Sequence, residues 1–70
     1  MVFKEYDVII AINDINVNIP KGTEGVIMTI LDEDRWFIVE FIDDNGETLG
    51  DGMETVNVDD IKKIENKIAD

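Results

Sequence analysis

The sequence of 70 residues contains no cysteine, no histidine and no serine. Without cysteine there is no disulfide, no thiolate ligand for a metal and no thiol nucleophile. Without histidine and serine, the Ser-His and Cys-His pairs of nucleophilic catalysis are excluded, and so is the commonest metal ligand. The remaining carboxylates lie mostly in turn-like stretches, whereas catalytic carboxylates usually need a cleft. We therefore expect a protein that is not an enzyme and that binds neither a cofactor nor a metal ion.

Long apolar runs are also absent, because no run approaches the ~20 residues that a membrane-spanning helix requires. The first ten residues, MVFKEYDVII, contain no basic segment followed by a long apolar core and a small-residue cleavage site. A secretory signal has these features. We therefore expect a cytoplasmic protein that does not bind a membrane.

Basic residues are scarce, since six Lys and Arg stand against 17 Asp and Glu, and the formal net charge is −11. Such a charge repels nucleic acids and anionic membranes, and it favours encounter with a basic protein surface. The simpler interpretation is that the acidity only maintains solubility. The charge therefore predicts a protein partner and no direct contact with nucleic acid.

Isoleucine, valine and threonine supply 23 of the 70 residues, and this composition favours strands over helices. A single domain over residues 1–70 is expected. Short apolar, β-branched runs bounded by turn residues predict strands at 6–12, 24–31 and 36–42, and residues 47–58 are expected to form a fourth strand or a fourth and a fifth. The last segment, 59–70, changes period, because Ile61, Ile64 and Ile68 are spaced three and four residues apart. This spacing predicts a short C-terminal helix.

Two faces of the predicted sheet can be read from the alternation along each strand. The predicted core consists of Val8, Ile10, Val26, Met28, Phe37, Val39, Phe41 and Val56. The second face would carry Ile9, Ile27, Ile38 and Ile42. Either the loop at 13–22 and the C-terminal helix cover this second face, or it is an interface through which the protein self-associates.

The stretch IPKGTEGVIM, residues 19–28, places Gly22 and Gly25 three residues apart. A phosphate-binding loop needs glycines between a strand and a helix. Here the glycines precede a strand pattern, and Glu24 would repel a phosphate. The sequence therefore favours structural roles, in which Gly22 adopts a positive φ and Gly25 allows a bend or a close approach to a neighbouring strand.

The order of these motifs resembles that of small SH3-like barrels, including the KOW type. The resemblance rests on DVIIAI followed by KGTEGV, and then on WFIVEFID, DNGET and TVNVDDIKKI. The order of motifs along nearly all 70 residues is similar to that of an uncharacterised bacterial family of small acidic SH3-like proteins. The resemblance implies a small SH3-like barrel of four to five antiparallel strands with a short C-terminal helix, and it implies no catalytic residue. The aromatic row of peptide-binding SH3 domains and the basic residues of KOW domains are not matched.

The stretch DDNGETLGDGME, residues 43–54, has some features of a calcium-binding EF-hand loop. Asp43, Asn45, Glu47 and Glu54 occupy ligand positions of that loop. The similarity ends at Thr48, where the sharp turn requires glycine, and no helices flank the stretch. A β-hairpin with an acidic turn is the favoured interpretation.

Two acidic turns flank the third predicted strand, and a single tryptophan follows the first of them. Tryptophan is a frequent anchor at protein interfaces, and acidic neighbours would select a basic partner. A solvated turn whose tryptophan covers one end of the barrel is the alternative. Because consecutive hairpin turns lie at opposite ends of a sheet, the second turn is expected to be only a supporting rim. The candidate binding residues are Asp32, Glu33, Asp34 and Trp36, with Asp43 and Asp44 as the rim.

These observations favour a non-enzymatic, acidic protein-binding module. One alternative is an acidic inhibitor, such as an immunity, antitoxin or anti-defence protein, that masks the basic nucleic-acid-binding surface of its target. A second alternative is a small structural subunit of a bacterial complex.

Overall fold

The β-branched segments form one antiparallel sheet of five strands in the computed structural model, which describes residues 3–32 and 35–64. The strands are β1 (Val8–Ala11), β2 (Glu24–Leu31), β3 (Trp36–Ile42), β4 (Thr48–Asn57) and β5 (Ile61–Lys63). A 3-10 helix at Val58–Asp60 connects β4 to β5. The order across the sheet is β4-β3-β2-β1-β5, so the last strand pairs with the first. The predicted mostly β fold with four to five antiparallel strands is confirmed.

One face of the sheet forms the hydrophobic core. The side chains of Phe37, Val39 and Phe41 alternate along β3 and are fully buried. The ring of Phe3 packs edge-to-face on Phe37 with 5.1 Å between the ring centroids, a favourable arrangement for aromatic rings. The buried apolar residues in the described part of the chain are Phe3, Ile9, Ala11, Ile19, Ile27, Phe37, Val39, Phe41, Val56 and Ile61.

The predicted core faces are confirmed for β3 and β4 and wrong for β1 and β2. Ile9 lies opposite Gly25, and Gly25 lies opposite Phe41, so Ile9 points into the core. The pattern VIIAI could not show this, because it is apolar at odd and even positions alike and a shift by one residue exchanges the faces. Ile9 and Ile27 are therefore core residues rather than members of the second face. The residues wrongly assigned to the core, all half-buried, are Val8, Ile10, Val26 and Met28.

β2 contains a bulge at Met28. Ile27 lies opposite Val39 and Thr29 lies opposite Ile38, so Met28 is the extra residue. A bulge of this kind changes which alternate positions face the core. Ile30 consequently packs against the core, although strict alternation from Ile27 would have placed it on the other face.

Gly22, just before β2, and Gly25, near its start, have the structural roles that the sequence predicts. Gly22 adopts a φ of +96°, and its N–H donates to the carbonyl of Ala11 over 2.8 Å. At Gly25 a Cβ atom would lie 2.7 Å from Val39 Cγ1 and 2.9 Å from both the Glu40 carbonyl oxygen and Phe41 Cδ1. The missing side chain of Gly25 therefore lets β2 and β3 pack closely beneath the aromatic core.

Residues 12–23, which connect β1 to β2, fold back over the core. Ile19 is fully buried and Ile15 packs against the core. A bridge between Asn16 and Ile19 closes a tight turn, in which Asn16 Oδ1 accepts a hydrogen bond from the Asn18 N–H at 2.8 Å. Val17 lies at the tip of this turn, where it is 95% exposed.

The helix predicted over 59–70 is wrong where the structure describes it. Residues 61–63 form β5, with Ile61 opposite Ala11, while residues 65–70 lie outside the described residues. A helix of twelve residues is marginal by itself. Pairing with β1 instead satisfies backbone groups at the edge of the sheet, for example through Ile64 N–H, which donates to the Val8 carbonyl over 3.0 Å.

The 3-10 helix joins the two edge strands of the sheet, and its backbone continues the β3–β4 and β1–β5 ladders. The Val58 N–H donates to the Arg35 carbonyl just before β3, and the Asp60 carbonyl accepts from the Ile12 N–H just after β1; both distances are 2.9 Å. The described residues show no pairing between β4 and β5, so the sheet is not a closed barrel.

Candidate functional site

The face of the sheet opposite the core is organised in rows that cross the strands. One row runs from Val8 through Val26 and Glu40 to Met53. Residues paired in this way point to the same side of a sheet. We call this side the outer face; its members are Val8, Ile10, Glu24, Val26, Thr29, Leu31, Trp36, Ile38, Glu40, Ile42, Thr48, Met53, Thr55, Asn57 and Lys62.

The middle of the outer face is apolar and partly open to solvent. Val26, Ile38 and Ile42 are half-buried. Met53 is 56% exposed and Trp36 is 39% exposed. Single exposed apolar side chains are ordinary, but a contiguous group of them marks an interaction surface. Ile38 and Ile42 thus lie on the second face as predicted.

Two carboxylates lie within this apolar surface. Glu40 is flanked by apolar residues in its row, and Glu24 lies in the next row, opposite Ile42. Since Ile42 is two residues beyond Glu40 on β3, the two glutamates are diagonal neighbours, with Cα atoms about 7–8 Å apart. The Thr48 hydroxyl donates a hydrogen bond to the Glu40 carboxylate, which holds that side chain on the face. A surface of this composition suits a partner that offers cations and apolar side chains together.

One end of the outer face is formed by Trp36 and its neighbours. Trp36 lies between Leu31 of β2 and Asn57 of β4. Asp32, which follows Leu31, adopts a φ of +44°, and its carbonyl accepts from the Arg35 N–H at 3.1 Å. The sharp turn between β2 and β3 therefore places an exposed carboxylate and an exposed guanidinium next to the tryptophan.

The 3-10 helix adds acidic residues at the same end. Asn57 is its N-cap, and Asn57 Oδ1 accepts a hydrogen bond from the Asp59 N–H at 2.9 Å. Asp60 has a structural role, because its Oδ1 accepts from Asn13 Nδ2 at 2.9 Å. Within the described residues, no basic side chain lies within 4 Å of the Asp32 or Asp59 carboxylate. Both carboxylates are available to a partner.

The turn between β3 and β4 lies at the other end of the outer face. Asp43 organises this turn, since its Oδ1 accepts from the N–H groups of Asn45 and Glu47 at 2.8 and 2.9 Å. The Gly46 N–H donates to the Asp43 carbonyl, and Gly46 has a φ of +82°. This is a type I turn closed by a glycine, a common hairpin connection. Asp44 is exposed beside it.

Most of the chain matches a known family model. Residues 5–63 match DUF4926, which is described as a domain of unknown function. The chain belongs to this family. Comparison with curated proteins and with solved structures found no match. The matched part of the DUF4926 domain ends at Lys63, the last residue of β5, so it comprises the whole sheet.

The DUF4926 structure brings together some of the predicted binding residues and separates others. Asp32 and Trp36 lie at one end of β3, and Glu33 and Asp34 lie outside the described residues. Asp43 and Asp44 are at the opposite end, about 20 Å away by the strand rise of 3.3 Å per residue. The expected separation of the two acidic turns is therefore present, and the outer face of β3 lies between them.

Sequence reasoning missed that the 3-10 helix with Asp59 begins next to Trp36, because it placed Asp59 at the start of an α-helix. The pairing of Trp36 with Asn57 brings the two together, and that register depends on the whole β3–β4 hairpin. The strand predicted at 47–58 was the available signal, since a strand antiparallel to β3 must end near the residue where β3 begins.

A shallow groove of about 760 Å³ lies at the Asp43 end of the DUF4926 domain, between the β1–β2 connection and the β3–β4 turn. Lys21 is its single basic residue among the described ones, beside Glu24, Asp43 and Asp44. In the part of the chain that the structure describes, no three carboxylates are arranged to hold a metal ion. No helix in that part is long and apolar enough to span a membrane.

Proposed function

We propose that this DUF4926 domain is a non-enzymatic protein-binding module that recognises a basic surface of a partner protein. The binding site is Trp36 with the carboxylates of Asp32 and Asp59. Glu33 and Asp34, which the sequence predicts to belong to the site, lie outside the described residues. Asp43 and Asp44 form a second, distant rim. The proposal includes a cytoplasmic location in a bacterial cell.

The observation that carries the proposal is the position of Trp36. Its side chain is 39% exposed at a junction of three elements, where the β2–β3 turn, the end of β4 and the 3-10 helix meet. An aromatic side chain held by rigid strands loses little entropy on binding and serves as an anchor. The Asp32 and Asp59 carboxylates, neither of which has a basic side chain of the described residues within 4 Å, then supply the attraction for lysine and arginine.

The proposal also assigns the domain to the SH3-like barrels. The five-strand order supports this assignment, because β1 pairs with both β2 and β5 and the sheet begins to curl around the core. The short connection between β4 and β5 supports it further, since residues 58–60 join the strands at the two edges of the sheet. Nuclear Overhauser effects between the side chains of β4 and β5 in solution would test the barrel.

An affinity experiment in the native host tests the function. The wild-type protein, Trp36→Ala and a matched control, Val17→Ala, serve as baits, and the captured proteins are identified by mass spectrometry. Val17 is a suitable control because it is 95% exposed on the connection between β1 and β2. We expect one partner with a basic surface that Trp36→Ala loses and Val17→Ala retains. Equal capture by all three baits would contradict the proposed site.

Stopped-flow kinetics with that partner then distinguish the contribution of charge attraction from that of the Trp36 contacts. The on-rate is expected to fall steeply with salt, because screening shortens the range of the field to ~8 Å at physiological ionic strength. Trp36→Ala should act mainly on the off-rate, because the contacts of an anchor residue form only in the docked complex. A salt-independent on-rate, together with full affinity in Asp32→Lys and Trp36→Ala, would show that the acidity serves only solubility.

The acidic inhibitor is the second candidate, and the net charge of −11 favours it. An inhibitor of this kind would bind one-to-one and tightly, and nucleic acid would compete with it for the partner. Competition by a short DNA or RNA duplex in the same binding assay distinguishes it from a module that docks on another surface.

A further inference from the structure

We propose that the outer face binds an amphipathic α-helix of the partner protein, and that two basic residues one turn apart on that helix pair with Glu24 and Glu40. This inference rests on the proposed function and adds to it the surface and the chemistry of the ligand. It concerns the face formed by β2, β3 and β4, and its charged contacts lie at the centre of that face rather than at Trp36.

The dimensions of the outer face suit a helix. The stretch of β3 from Trp36 to Ile42 is about 20 Å long at 3.3 Å per residue. This length corresponds to roughly 13 residues of α-helix at 1.5 Å per residue. The row from Val8 to Met53 crosses four strands, so the face is about 14 Å wide at 4.8 Å between strands. A helix with its side chains has a diameter of ~10–12 Å.

The two carboxylates define what the helix must carry. Glu24 and Glu40 are diagonal neighbours about 7–8 Å apart. Residues i and i+4 of a helix have Cβ atoms roughly 5–6 Å apart on the same side. The long side chains of lysine or arginine at such positions can reach one glutamate each. Val26, Ile38 and Met53 surround Glu40 and offer apolar contact to the leucine-like side chains beside the two cations.

Charge decides between this partner and a second copy of the protein. A two-fold dimer through the outer face would bring the glutamates of both copies together at the centre of the interface, and like charges there are unfavourable. Lys62, the basic member of the outer face, lies on β5 at its far edge. Strand addition at the β4 edge is hindered, because Gly50 and Gly52 have φ angles of +67° and +114° and distort that edge.

A titration followed by NMR tests the inference on the full chain. The probe is a synthetic 14-residue amphipathic peptide with leucines on one side and arginines at its fifth and ninth positions; glutamines replace these arginines in the control peptide. We expect the arginine peptide to shift the amide resonances of β2, β3 and β4. The control peptide, which lacks both cations, should bind about a hundredfold more weakly, a difference of ~2.8 kcal/mol.

Two variants with the same chemical change locate the site. Glu40→Gln should weaken the arginine peptide about tenfold, as expected for the loss of one charge-assisted contact. Glu47→Gln, in the exposed β3–β4 turn, should change the affinity less than about twofold if general charge attraction is minor. Equal effects of the two variants would overturn the inference. Met53→Ala should also weaken binding, and it removes no charge.

Other results would assign the outer face differently. Shifts confined to the surroundings of Trp36 or to the β3–β4 turn would overturn the inference and leave the proposed function intact. Contacts between residues 65–70 and Val26 in the free protein, or a dimer through the outer face in sedimentation equilibrium, would show another occupant and overturn it. If neither peptide shifts the resonances of the outer face, the inference is also overturned. The affinity experiment in the native host then still tests the proposed function.

Discussion

Gly25 shows how the absence of a side chain at one position shapes this domain. The space above its Cα is filled by Val39 and Phe41 from the core and by the carbonyl oxygen of Glu40. The same glycine precedes Val26, which belongs to the outer face. A close approach of β2 to β3 at this point therefore affects both the core and the candidate binding surface.

Gly25→Ala should destabilise the protein by about 1–3 kcal/mol, because an added methyl group overpacks the core and meets a backbone atom that cannot rotate away. Urea denaturation of Gly25→Ala and of the exposed control Thr29→Ala measures the change in the free energy of unfolding. The control should stay within about 0.5 kcal/mol of the wild type. A neutral Gly25→Ala would mean that the two strands are further apart than the structure shows.

The elements of the fold differ in how well the sequence alone predicted them. The extents of β2 and β3 were predicted to the residue, because charged turns bound both runs and the Phe37–Phe41 alternation is unambiguous. Which side of β1 faces the core was not predictable, since its apolar residues lie at both odd and even positions. β5 was predicted as a helix, because the isoleucine spacing fits a helix and only pairing with β1 makes it a strand. At the candidate site, Asp32 and Trp36 are close in sequence, but the proximity of Asp59 depends on tertiary pairing.

The assignment of β5 can be tested with two proline variants. The Ile64 N–H donates to the Val8 carbonyl, so Ile64→Pro removes a hydrogen bond of the sheet. It should cost about 1–3 kcal/mol in the free energy of unfolding. By the alternation of an antiparallel pair, the N–H of Lys63 points to the free edge, where proline is tolerated.

Lys63→Pro is therefore the matched control, and its cost should be clearly smaller than that of Ile64→Pro. Thermal denaturation followed by circular dichroism compares the two variants with the wild type. Two equally destabilised variants would support a helix through this segment, since proline within a helix is costly at either position.

At the scale of the whole molecule, the charge is the dominant feature. A net charge of −11 is distributed over a body whose longest dimension is 31 Å. In the absence of salt, repulsion acts across all of this distance, because the Debye length is ~30 Å at 0.01 M ionic strength. The same field that opposes folding would attract a basic partner, and it also keeps the protein soluble.

Salt should therefore stabilise the free protein. Raising sodium chloride from 0.01 to 0.15 M is expected to raise the free energy of unfolding by about 1 kcal/mol, or the Tm by roughly 4–8 °C for a domain of this size. Scanning calorimetry in sodium chloride and in choline chloride of equal ionic strength measures the effect and identifies any contribution specific to sodium. Stability that falls with salt would show that attractive ion pairs, such as Lys63 with Asp7 at 3.5 Å, outweigh the repulsion.

The most direct test of the central claim, that the outer face and its Trp36 end bind a basic protein, is site-specific photo-crosslinking in the native host. Benzoylphenylalanine replaces Met53 on the outer face in one strain and Val17 on the β1–β2 connection in another; both positions are exposed, at 56% and 95%. The account predicts that one basic protein is crosslinked from position 53 and not from position 17. A crosslink to that protein from position 17 alone, to a second copy of the chain, or to an acidic protein would contradict it.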